Sequence, residues 1–168
     1  MQLSIVSALT VALGVASALP AEVEVRGTPS NAPVTFDHAP DQSKSFTCGG
    51  KTYTGHDIYV SAQRGVALQE ISETRGKNQY PHSFDHNDSK GHQLNFPSYC
   101  PEDKDRMEFP LIKNGPYDGG KSNTKQGDER VVYFYEPGEV DNNGHAKATY
   151  CGIMTHVGAA QKGGFILC

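Results

Sequence analysis

Apolar residues recur at helical spacing in one stretch of the chain, "TGHDIYVSAQRGVALQEI". Ile58, Ala62 and Val66 lie four positions apart and so share one helix face. Thr54 stands in front with Asp57 three positions on, an approximate capping box, and Gly76 follows as a stop signal. Downstream the pattern shifts to short strands: "NFPSY" (95–99), "MEFPLI" (107–112), "RVVYFY" (130–135), "KATYCGIMTH" (147–156) and "GFILC" (164–168). Stretches dense in Gly, Asn, Asp and Pro separate them, and Asp141-Asn142-Asn143-Gly144 predicts a hairpin turn. One helix followed by consecutive strands predicts an α+β fold with an antiparallel sheet.

The N-terminal end breaks this pattern. "MQLSIVSALTVALGVASALP" is uncharged and apolar and ends in Ala16-Ser17-Ala18, the layout of a secretory signal peptide cleaved after residue 18. The run is too short to span a bilayer comfortably, and no later segment has the length or apolarity of a span, so no membrane partner is expected. Residues 19–45 are rich in Pro, Ala and Ser without an apolar period and read as a flexible leader or propeptide. Residues 46–168 remain as one folded domain.

Charge and cysteines narrow the function. The formal net charge of −4 argues against gripping nucleic acid through a broad basic surface, but leaves room for an enzyme that touches one or two phosphates. Cys48, Cys100, Cys151 and Cys168 include no C-x-x-C pair, so a zinc knuckle has little support. An even count behind a signal peptide predicts two disulfides, with three pairings open, in an extracellular protein.

Strand alternation then isolates the candidate chemistry. Met107, Phe109 and Leu111 share one face and leave Glu108 on the other. Arg130 lies opposite Val131, Tyr133 and Tyr135, and His156 closes its strand. Singly, each is an ordinary surface or core residue. Brought together on neighbouring strands, they would equip a metal-free phosphodiester cleavage. A carboxylate takes the 2′-hydroxyl proton, an imidazolium protonates the departing 5′-oxygen, and a guanidinium holds the charge on the phosphoryl oxygens. A metal clip of His82, His86 and His92 is disfavoured by Pro81, which opposes a helix that would align them; no metal or cofactor is expected.

"YPH" (80–82), "EFP" (108–110), "ERVVY" (129–133), "GIMTHVGA" (152–159) and "GGFILC" (163–168), in that order, resemble the secreted fungal guanyl-specific ribonucleases. The resemblance covers roughly residues 46–168 and implies one α-helix packed on a twisted antiparallel sheet. It implies Glu108 as general base, His156 as general acid, His82 as a positive helper at the 2′-hydroxyl, and Arg130 and Tyr80 as phosphate ligands. It also places Gly163 and Phe165 at the substrate. The implied disulfides are Cys48–Cys168 and Cys100–Cys151. The implied reaction is cyclising transesterification of single-stranded RNA by a monomer, followed by hydrolysis.

The base-reading stretch departs from the family pattern of aromatic, two polar residues, aromatic, glutamate and glycine. In "FDHNDSKGH", Phe84 stands for the first aromatic, Asp85 and His86 for the polar pair, and Asp88 for the glutamate. The second aromatic is missing, so the expected preference widens from guanine towards purines. Asn87-Asp88-Ser89 is also a glycosylation sequon. Two other readings stay open: an RNase-like effector that binds without cleaving, and a ribotoxin, although this acidic chain lacks the long basic loops of ribotoxins.

Overall fold

In the computed structural model, residues 28–84, 94–100, 105–160 and 163–168 are described. Helix α1 spans Gly55–Glu70, and both arms of the capping box form. The Asp57 amide donates to Thr54 Oγ1 at 3.0 Å, and Asp57 Oδ2 accepts from the Thr54 amide at 2.9 Å. Two of the orphan amide donors at the helix start are thereby satisfied by local sequence. The helix stops earlier than Gly76: it breaks at Ile71–Ser72, where Ser72 takes φ 52°. Gly76, at φ 75°, instead serves the following turn, in which Arg75 and Tyr80 bridge.

The strands are β1 (Thr35–Asp37), β2 (Ser45–Cys48), β3 (Lys51–Thr54), β4 (His82–Ser83), β5 (Met107–Pro110), β6 (Glu129–Val140), β7 (Ala146–Thr155) and β8 (Ile166–Leu167). The main sheet runs β1-β7-β6-β5-β4, with β8 also pairing β7, while β2 and β3 form a separate hairpin. Four of the main-sheet pairings are antiparallel, but β1 joins β7 in parallel, so the sheet is mixed rather than wholly antiparallel. The hairpin predicted at 141–144 is present: the Gly144 amide donates to Asp141 O at 3.0 Å.

Three segments differ from expectation. Within the span read as leader, Val34 is buried and Phe36 sets its ring edge-on to Tyr59 and Tyr133, at 5.9 and 6.4 Å. A three-residue strand is too short to show a period, which is why pattern reading missed it. β2 and β3 form a hairpin at Gly49-Gly50, whose φ values of 58° and 75° supply the left-handed pair that a two-residue loop requires. Residues 95–99 form no strand; the Cys100 amide turns back to Pro97 O at 2.8 Å.

The ladder fixes which side chains share a face. Ile58, Ala62 and Val66 of α1 join Phe109, Val131, Tyr133 and Ile153 in one buried cluster. The opposite face carries a second cluster of Phe84, Cys100, Val132, Cys151 and Met154. Between Val132 and Tyr133 the β6–β7 register shifts, so that Val132 meets Gly152 while Tyr133 meets Tyr150. Cys151 is the extra residue of this bulge and reaches Cys100.

Both expected disulfides form, Cys48–Cys168 with Cα atoms 5.2 Å apart and Cys100–Cys151 at 5.6 Å. Their sequence separations of 120 and 51 make each a substantial restraint on the unfolded chain. In the chain-entropy model each is worth about 4–5 kcal/mol.

Candidate active site

Register alone assembles the site. His82 pairs with Glu108, Glu108 with Val132, and Arg130 with Met154. Directly paired residues project to the same side, as do residues two apart on one strand. His82, Glu108, Arg130 and the start of His156, two positions beyond Met154, therefore lie on the sheet face away from α1. The three strands expected to share a pocket are neighbours, in the order β5, β6, β7.

Glu108 is almost fully buried, with 4% exposure. Its Oε1 sits 3.0 Å from His82 Nε2 and 3.9 Å from Arg130 Nε. The first contact has ion-pair distance without hydrogen-bond alignment. Glu108 Oε2 and His82 Nε2 are both buried atoms that find no hydrogen-bond partner among the described residues. A buried carboxylate oxygen left unpaired is costly, and the other oxygen of this carboxylate is the one beside His82 and Arg130.

Arg130 is held from several sides. Its Nη1 donates to the carbonyls of Glu129, Gly127 and Gln126 at 2.8, 3.0 and 3.4 Å. Its Nε donates to the Tyr80 hydroxyl at 3.1 Å, and its guanidinium lies 5.0 Å from the Tyr80 ring centre. Because the Tyr80 oxygen accepts from Arg130, its own hydrogen remains free to donate elsewhere. The Tyr80 and His82 rings adjoin, 4.7 Å apart.

His156 Nδ1 lies 2.7 Å from the Gly164 carbonyl. A carbonyl only accepts, so Nδ1 carries the hydrogen, and Nε2 is the nitrogen left for chemistry. The imidazole stacks on Phe165, centroids 3.8 Å apart and planes 27° from parallel.

A buried carboxylate beside an arginine and a hydroxyl, on the sheet face that also carries an imidazole bonded through Nδ1, makes a candidate acid–base site. A ribonuclease family model matches residues 41–168. The chain belongs to the ribonuclease family. Among curated relatives, guanyl-specific ribonuclease T1 of Aspergillus oryzae is 29% identical over 129 residues, which span 76% of this chain and 81% of that protein.

The other expected family positions fare unevenly. Phe165 lies against His156, and Gly163 occupies the exposed turn before it at φ 86°. Phe84 is 7% exposed and faces inward. Asp85, His86 and Asp88, with the sequon, lie outside the described residues. No described group of three His, Cys, Asp or Glu is placed to hold a metal ion, and no described helix is long and apolar enough to cross a membrane.

Glu129 opens "ERVVY" one position before Arg130, and alternation alone gives it no role. It is fully buried on the opposite face, where Lys51 Nζ and the Tyr53 hydroxyl donate to its Oε2 at 2.9 and 3.0 Å. Burial and the Glu129 charge push the Tyr53 hydroxyl well above its usual pKa, so it stays a donor. These bonds clamp the β2–β3 hairpin to the strand that carries Arg130. Partners 78 and 76 positions apart leave no local signal in the sequence.

Proposed function

We propose that this chain is a secreted, metal-independent endoribonuclease that cleaves single-stranded RNA 3′ of guanosine or other purines through a 2′,3′-cyclic phosphate. The observation that carries the reading is Glu108 Oε2, buried and without a partner among the described residues, on the sheet face shared by Arg130 and His156. In the first step Glu108 takes the 2′-hydroxyl proton and the 2′-oxygen bonds to phosphorus. The bond from phosphorus to the 5′-oxygen breaks, and His156 Nε2 gives that oxygen its proton. In the second step water attacks the cyclic ester with the two groups exchanging roles. Arg130 and the free Tyr80 hydrogen neutralise the phosphoryl oxygens, while His82, beside Glu108, steadies the 2′-oxygen. The nucleophile belongs to the substrate and is already adjacent to phosphorus, which removes the need for an activated water in the first step.

The guanosine preference follows the specificity printed for the Aspergillus oryzae relative, widened by the missing aromatic in 84–92. The layout of residues 1–18 and the two disulfides support secretion. The test is incubation of purified protein with dinucleoside phosphates in EDTA. Cyclic products, formed fastest after guanosine, are expected. Absence of cleavage in every dinucleotide would overturn the enzyme reading, and a single cut confined to ribosomal RNA would replace it with a ribotoxin.

A further inference from the structure

The first amides of a helix find no acceptor within it. In α1 the capping residue Thr54 serves one of them, the Asp57 amide. The two before it are served from upstream. The Gly55 amide donates to Lys44 O at 2.8 Å, and the His56 amide donates to Gln42 O at 3.2 Å. Both acceptors lie in the span that the sequence presents as a leader or propeptide. The approach is also close: a Cβ on Gly55 would fall 2.2 Å from Asp41 O, so a glycine is what lets the helix start meet this backbone.

The contacts continue back along the chain. Gln63 Nε2 donates to Ala32 O at 2.6 Å, and the Val34 amide donates to the Tyr59 hydroxyl at 3.2 Å. Tyr59 and Gln63 are four positions apart and so neighbours on the surface of α1. Val34 is 6% exposed and belongs to the cluster beneath α1, with Phe36 packed against it. Thr35, Phe36 and Asp37 pair with Lys147, Ala148 and Thr149, covering an edge of β7 whose backbone groups would otherwise be open to any other strand. The Thr35 hydroxyl donates to Asp141 Oδ2 at 2.7 Å, in the turn between β6 and β7. One short stretch thus ties together the helix start, the helix surface, the sheet edge and a hairpin turn. The ribonuclease family match begins at residue 41, so the part that forms β1 lies outside it. The stretch packs on the α1 side of the sheet, whereas His82, Glu108 and Arg130 lie on the other side.

We propose that residues 34–44 are a permanent strap of the mature protein and not a removable leader. Any cleavage that trims the N-terminus falls before Val34, and catalysis does not require the strap to leave. A leader can be shed only where the domain closes without it. Here its loss would take the acceptors from two amides of α1, open the β7 edge and uncover the core around Val34. The consequence for activity rests on the ribonuclease reading above; the structural consequence does not.

The test expresses the full chain in a secreting host and reads the N-terminus of the purified product from its intact mass. The product should begin before Val34; a product that begins beyond it would overturn the proposal, and this reading needs no variant. Gly55→Ala gives a second reading. At a first helical position free of the strap, alanine is neutral or favourable. With the strap seated, the added methyl meets Asp41 O, and the melting temperature should fall by about 4 °C or more. A Gly55→Ala protein as stable as wild type would overturn the proposal. The product as purified should also cleave a guanylyl dinucleotide, and limited proteolysis within 34–44 should not raise its rate. Activity that appears only after such a cut would make the stretch an inhibitory propeptide and overturn the proposal. Absence of activity both before and after the cut would sink the ribonuclease reading alone, since the mass and the melting temperature would still decide the strap.

Discussion

Replacing Asp57 by Ala removes the most connected carboxylate of the helix start, and the cost can be worked from its partners. Asp57 Oδ2 accepts from the Thr54 amide and hydroxyl, both at 2.9 Å, and Oδ1 accepts from the Asn114 amide at 3.0 Å. Losing the capping arm should cost about 1 kcal/mol. Asn114 is an exposed residue, so its freed amide regains water and adds only about 1 kcal/mol more. The expected total is about 2 kcal/mol at neutral pH, a large share of a domain's net stability. Burial alone pushes the Asp57 carboxyl up, but the Thr54 and Asn114 donors outweigh it and hold it below the ordinary value. A depressed folded pKa gives stability that is present above the unfolded value of about 3.9 and fades as pH falls through the folded value. Urea unfolding of wild type and Asp57→Ala at pH 7 and pH 3 should therefore show a gap that narrows in acid. A gap below about 0.5 kcal/mol at pH 7, or one that widens at pH 3, would refute the reasoning.

Other consequences follow from single contacts. The Tyr133 hydroxyl is buried without a described partner, so Tyr133→Phe should be neutral or stabilise by up to about 1 kcal/mol in urea unfolding. A Cβ on Gly65 would fall 2.5 Å from that hydroxyl, so Gly65→Ala should destabilise, and Tyr133→Phe in the same chain should recover part of the loss. Asp141 is held down to about 2, chiefly by the Thr35 hydroxyl and then by the His145 and Asn143 amides. Its contribution is present above about pH 4 and lost on acidification towards the folded value, so the melting-temperature gap between wild type and Asp141→Asn should close over that window.

What the sequence made legible was what short-range physics encodes. Thr54 and Asp57 announced α1 because a capping box needs only four consecutive residues. Glu108 and Arg130 stood out because alternation in "MEFPLI" and "RVVYFY" sets a charge among apolar neighbours. The disulfide pairing came from the resemblance, since four cysteines alone leave three choices. Long-range pairings stayed hidden. Thr35 bonds Asp141 across 106 positions, and nothing in 19–45 marks β1 as an edge strand. Phe84 could be placed beside "YPH" from the sequence, but its edge-on packing against Phe165, 81 positions away, could not.

The proposed mechanism divides proton transfer between Glu108 and His156. The sharpest measurement compares Glu108→Ala and His156→Ala on a guanylyl dinucleotide and on a guanosine 3′-phosphate ester whose leaving group is a nitrophenolate. Each variant should lose roughly 10²–10⁴-fold on the dinucleotide. The nitrophenolate departs without a proton, so it should restore most of the rate to His156→Ala and none to Glu108→Ala. Equal rescue of both, or of neither, would contradict the assignment of base and acid.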